Sequence, residues 1–135
     1  MTIQLPIHTE RLIVRRMQPS DLERFANYRA DPVLAQYQGW SPMNLDQARE
    51  FIASMQTQRM LEPENWGQLA IANAADDDLL GDIGLYLHEN GDAEIEVFAQ
   101  GAICFSVSGR CSLTSWVGGH SGNRGTCTSI CRVGW

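Results

Sequence analysis

Apolar positions follow helical or strand periods through the first two thirds of the chain and lose both periods after residue 97. The run from Thr9 to Met17, centred on Leu12, Ile13 and Val14, predicts a strand. In Pro19-Ser20-Asp21-Leu22-Glu23, Ser20 and Glu23 stand three apart and predict a capping box at a helix start. Leu22, Phe25, Ala26 and Arg29 then share one helical face. Asp31 and Pro32 suit the N-cap and first position of a short helix running through Val33 to Tyr37 and ending at Gly39. Trp40-Ser41-Pro42 makes a turn. Asn44 caps a longer helix to about Leu61, with Gln47 at N3 and an apolar stripe of Ala48, Phe51, Ile52 and Met55.

Strand periods follow. Trp66 to Ala72 alternates, with Leu69 and Ile71 on one side. Ala74 to Asp78 is a polar turn, and Leu79 to Leu87 is the next strand, with Gly81 and Gly84 as candidate bulge positions. Asn90-Gly91 is a strong hairpin signal, and Ala93 to Phe98 is the fourth strand. The order β-α-α-β-β-β defines the fold class as α+β, a mostly antiparallel sheet with packed helices, incomplete after the fourth strand.

Charge divides the chain at the same point. All 16 acids lie between Glu10 and Glu96, against seven arginines, a net −9. Residues 97–135 hold three arginines and no acid, a net +3, together with all four cysteines. The whole chain of 135 residues carries −6, which points away from duplex nucleic acid as a partner. No apolar run reaches the ~20 residues of a membrane span, and the N-terminus lacks a signal-like core, so a cytoplasmic protein without membrane contact is expected.

Several runs in residues 8–97 together resemble a known family. Thr9-Glu10-Arg11-Leu12 with Arg15, then Asp21, Tyr28-Arg29 with Asp31-Pro32, and Gly39-Trp40 are similar to GCN5-related N-acetyltransferases, closest to the branch of ribosomal-protein alanine acetyltransferases. The Trp66 strand, Leu80-Gly81 with Ile83-Gly84-Leu85, and Ala93-Glu94-Ile95 continue the likeness. The resemblance implies transfer of acetyl from acetyl-CoA to a primary amine, on a protein N-terminus or a small molecule. It implies a bulged fourth strand that splays from its neighbour, with the backbone at Ile95, Val97 and Phe98 binding the cofactor. It places Tyr37, Gln38 and Trp40 at the acceptor pocket, with Trp40 equally suited to the core. Glu94 and Glu96 share a face of the fourth strand. They suit either a base for the amine or a pair of solvent-facing acids.

The resemblance stops where the cofactor's phosphate loop should begin. Gln100-Gly101 is the nearest counterpart, and no second glycine follows at the right distance. Residues 1–97 therefore read as the first part of an acetyltransferase domain. Residues 98–135 read as a Gly/Ser/Cys-rich tail, irregular and produced by a shifted reading frame, with a native divergent terminus as the alternative. Such a chain would be impaired in acetyl transfer, or would persist as an inactive binding or dimerising module, a homodimer through its open sheet edge. The cysteine gaps C-x6-C, C-x15-C and C-x3-C depart from paired zinc knuckles, so no metal is expected and the thiols read as incidental. Asp76-Asp77-Asp78 reads as a solvated turn. Arg15, Arg16 and Arg29 are expected to pair with acids structurally.

Overall fold

The computed structural model describes residues 4–32, 35, 41–60, 62–100, 111–119 and 126–133. Its elements are β1 (Ile7–His8), β2 (Leu12–Arg15), a 3-10 turn (Pro19–Asp21), α1 (Leu22–Arg29), α2 (Leu45–Thr57), β3 (Trp66–Asn73), β4 (Leu79–Leu87), β5 (Ala93–Gln100), β6 (Cys111–Gly119) and β7 (Thr126–Val133). The seven strands form one sheet in the order β1-β2-β3-β4-β5-β7-β6, every pairing antiparallel. The α+β class stands. The sheet does not stop at the fourth predicted strand: β7 pairs with β5 from Ala93 to Gln100, and β6 closes on β7. The expectation of an irregular tail is corrected to this extent. Its alternating small and β-branched residues, such as Thr126, Thr128 and Ile130, suit an extended ladder that composition alone conceals.

Both helices lie on one face of the sheet. Phe25, Tyr28, Ala48, Ile52 and Met55 are buried against Ala70, Leu79, Phe98 and Met17. Aromatic rings order this layer: Phe25 stacks on Phe51 at 5.4 Å, meets Tyr28 edge-on at 5.4 Å, and Tyr28 tilts against Phe98 at 4.6 Å. β3 is buried on both faces, since Leu69, Ala70, Ile71 and Ala72 are all inaccessible. The predicted half-buried alternation there gives way because alanines, small enough for close helix packing, occupy the second face.

The helix starts follow local chemistry. At α2 the predicted box forms: the Asn44 side chain accepts from the Gln47 amide at 2.9 Å, and Gln47 accepts from the Asn44 amide at 2.9 Å. The helix ends at Thr57, short of Leu61. At α1 the box shifts from Ser20 and Glu23 to Gln18 and Asp21, whose carboxylate accepts the Gln18 amide at 2.8 Å. Asp21 wins because it also receives a bidentate guanidinium from Arg15, at 2.8 and 3.0 Å, out of water. Arg15 reaches on to Asp77 at 2.8 Å, joining β2, the start of α1 and the β3–β4 turn. Arg16 instead donates to the carbonyls of Met55 and Gln58 at the end of α2. The register shift falls opposite Gly81, between Ile71 and Ala72, while Gly84 keeps regular pairing. Asn90-Gly91 forms its turn, with Gly91 at φ 92°. The short helix expected after Pro32 involves Val33, Leu34 and Gln36 to Gly39, which lie outside the described residues.

Asn44→Ala is expected to lower the unfolding free energy by about 1 kcal/mol. Urea unfolding checks this: the midpoint should fall with the slope unchanged.

Candidate functional site

Regular pairing of β3, β4 and β5 lines up three cross-strand rows. They are Trp66, Tyr86 and Glu94; Gln68, Gly84 and Glu96; and Ala70, Asp82 and Phe98. Directly opposed residues project to the same side of a sheet, so all nine face the helical layer. This face is apolar at the Phe98 end and polar toward Glu94.

Asp82 is buried between the two. It accepts the Tyr28 hydroxyl at 2.5 Å, Arg29 Nη2 at 3.1 Å and Gln68 Nε2 at 2.8 Å. Burial lifts the Tyr28 hydroxyl well above its ordinary value of 10.0, and the Asp82 charge and hydrogen bond raise it further. Arg29 also lies over the Phe25 ring at 5.0 Å.

Glu94 and Glu96 stand on one face, as the alternation predicts, but their surroundings differ. Glu94 meets His88 Nε2 at 2.9 Å. Glu96 is half-buried and makes no hydrogen bond or ion pair among the described residues. Its carboxyl is raised above 4.5, first by burial, then by the Glu94 charge. Such a group holds and accepts a proton more readily than a surface glutamate.

Beside Glu96, the Gln68 and Trp66 side chains pack closely over the Gly84 backbone. A β-carbon there would meet Gln68 Oε1 at 3.1 Å and the Trp66 ring at 3.2 Å. Trp66 is 39 % exposed and tilts against Tyr86 at 5.2 Å, and Tyr86 meets His88 edge-on at 4.8 Å. The Tyr86 hydroxyl donates to Glu64 at 2.5 Å, and that bond holds the Glu64 carboxyl below its usual range, with the Glu89 amide adding to it. The arrangement sets a partly exposed aromatic pair on β3 and β4 and a half-buried carboxylate on β5 along one face of the sheet.

Other expected site residues are not assembled here. Ile95 and Val97 pair into ladders with β4 on one side and β7 on the other, as does Phe98, whose side chain is in the core. The opening expected at Ile95, Val97 and Phe98 is therefore closed: β5 is an interior strand in continuous register, with no bulge to splay it. Tyr37, Gln38 and Trp40 lie outside the described residues, as does Cys104. Cys127 and Cys131 pair in register with Gly118 and Leu113, and Cys111 with Val133. Among the described residues, no group of three or more His, Cys, Asp or Glu could hold a metal ion. No helix among them is long and apolar enough to cross a membrane. Trp66, Gln68, Asp82 and Gly84 were not foreseen as site residues. The available signal was an aspartate inside an otherwise apolar strand, flanked by Gly81 and Gly84.

The fold is of the acetyltransferase type. A GNAT-family acetyltransferase from Bacillus anthracis superposes with a TM-score of 0.59 at 12 % identity, over 96 % of this chain and 98 % of that one. The sequence points elsewhere. Residues 48–135 match Peptidase family U32, and the chain belongs to that family. A tRNA hydroxylation protein P of Escherichia coli is 49 % identical over 41 residues, 30 % of this chain and 9 % of that protein. A collagenase of Porphyromonas gingivalis is 51 % identical over 41 residues, 30 % of this chain and 10 % of that protein. The 23S rRNA 5-hydroxycytidine C2501 synthase of Escherichia coli is 43 % identical over 47 residues, 35 % of this chain and 7 % of that protein. The chain spans about a tenth of the length of these relatives.

Two expectations are thereby corrected. Acetyl transfer to an amine is overturned, and with it the reading as an impaired or inactive acetyltransferase: the family is one of different enzymes, and a shared fold does not carry its chemistry along. The shifted reading frame is also overturned, because the family match runs through residues 98–135 in the frame as written.

Glu96→Gln is expected to stabilise the protein at pH 7. A carboxyl raised in the folded state contributes stability below about pH 4.5, lost as pH rises through the folded value. Urea midpoints at pH 4 and pH 7 check this: the variant should exceed the parent at pH 7 and match it at pH 4.

Proposed function

We propose that this chain serves in the hydroxylation of bases in structured RNA, as part of a cytoplasmic enzyme. The observation that carries the reading is charge placement within the family match. Residues 97–135, all inside the matched span, hold Arg110, Arg124 and Arg132 and no carboxylate. A segment of +3 is suited to phosphate contact, whereas the acidic remainder is not. The names of two relatives, tRNA hydroxylation protein and 5-hydroxycytidine synthase, support the same substrate class. The reaction replaces a C–H of the base with C–OH. This two-electron oxidation takes its oxygen and oxidising equivalents from an external oxidant, and the chain's part is contact with the RNA.

The test is nucleoside mass spectrometry of tRNA and rRNA from the source cell, with the gene deleted and then restored. Loss of a hydroxylated pyrimidine on deletion, and its return, is the expected result. Unchanged hydroxylation, together with gelatin cleavage by the purified protein, overturns the proposal in favour of a peptidase. On the chain itself, replacing all three tail arginines by alanine should weaken binding to single-stranded RNA and reduce the slope of log K against log salt by about 2.

A further inference from the structure

We infer that Asn90, Gly91 and Asp92 form a self-modifying turn, in which Asn90 undergoes spontaneous deamidation and Asp92 promotes it. The inference is independent of the RNA reading. Asn90 and Gly91 are exposed at the tip of the hairpin that joins β4 to β5, and Gly91 has a φ of 92°. A β-carbon at Gly91 would meet nothing within 4 Å, so this peptide is open to solvent and to its own side chains. One residue holds both ends of the Asn90 amide. Oδ1 accepts the Asp92 backbone N–H at 2.9 Å, and Nδ2 donates to Asp92 Oδ2 at 3.0 Å. A side chain bonded to the backbone two residues on is an Asx turn, which folds its carbonyl carbon back toward the intervening peptide.

These contacts suit each stage of the reaction. The Gly91 nitrogen gives up its hydrogen bond to the His88 carbonyl, at 3.0 Å, and loses its proton to hydroxide. It then attacks Asn90 Cγ: a C–N bond forms, and the π pair of the side-chain carbonyl moves onto Oδ1. The Asp92 N–H is already bonded to that oxygen and stabilises the oxyanion. Nδ2, now an amine, takes a proton from water, and the Asp92 carboxylate lies beside the ammonium that results. The oxyanion collapses, the Cγ–Nδ2 bond breaks and ammonia leaves. The cyclic succinimide takes up one water at either carbonyl and opens to aspartate or isoaspartate at residue 90. The net change is water gained and ammonia lost, with no oxidation or reduction.

The product places a carboxylate where the Nδ2 donor faced Asp92, so like charges replace a hydrogen bond. Isoaspartate also adds a methylene to the backbone of the turn. Both changes fall on the residues that close β4 onto β5.

The test is peptide-level mass spectrometry of the 135-residue chain incubated at 37 °C and pH 8, beside the variants Asp92→Ala and Asp92→Asn. In the parent, the mass gain of an amide-to-acid exchange is expected at residue 90, ahead of Asn27, Asn44, Asn65 and Asn73, with isoaspartate as the major product. Both variants should deamidate at residue 90 about fivefold more slowly, the effect of one exposed charge contact on a barrier. Circular dichroism confirms that they fold. Asp92→Asn keeps the shape of the turn and removes only the charge. A parent whose residue 90 keeps its amide as long as Asn27 and Asn44 do overturns the inference. Equal rates in the parent and both variants also overturn it, because the Asn90-Gly91 pair would then react without help from Asp92. Faster loss in the variants overturns it as well, since Asp92 would then protect the amide.

Discussion

The carboxylate of Asp82 is the point at which the helical layer and the sheet are joined. A lone buried carboxylate would cost several kcal/mol. This one receives donors from both layers: Tyr28 and Arg29 from the last turn of α1, and Gln68 from β3. Satisfying it fixes how α1 is rotated on its axis, because Tyr28 and Arg29 must both reach the same group. The rotation in turn aims Phe25 at Phe51 and sets the Arg29 guanidinium over both rings, at 5.0 and 5.8 Å. Polar tie and aromatic core are therefore one assembly, and neither keeps its geometry without the other. The same bond turns the Gln68 amide so that its oxygen packs over Gly84.

Two glutamates two residues apart show how position sets chemistry. Glu94 lies toward the hairpin, where His88 meets it at 2.9 Å. Glu96 lies one row deeper, beside Gly84, where burial and the neighbouring Glu94 charge disfavour ionisation. Strand alternation predicts that they share a face and says nothing of this difference. It arises only when β4 is laid alongside with a glycine opposite Glu96 and a tyrosine opposite Glu94.

What was legible in the sequence follows the range of the forces involved. The Asn44–Gln47 cap, the apolar stripe of α2 and the Asn90-Gly91 turn depend on residues within four positions, and all were readable. The α1 cap was misassigned because Arg15, a residue outside that window, selects Asp21 over Ser20. Gln68, Gly84 and Glu96 come into one cross-strand row through pairings 16 and 12 positions apart, so no local pattern announces it. The tail was the largest misreading. Its lack of acids and its four cysteines read, by composition alone, as accidents, whereas the family match runs through the segment that holds them.

The agreement in fold with an acetyltransferase and the membership in another family are compatible once strand edges are considered. In the expected cofactor site, β5 would have to part from its neighbour to expose amides to a ligand. In this chain β7 occupies that edge from Ala93 to Gln100, and every register position is filled. The residues that fill it belong to the acid-free segment, with Arg132 in register with Glu94. The segment from Thr126 to Val133 thus takes the strand edge on which the other chemistry would depend. The same pairing brings Arg132 onto the strand next to the one that carries Glu94 and Glu96.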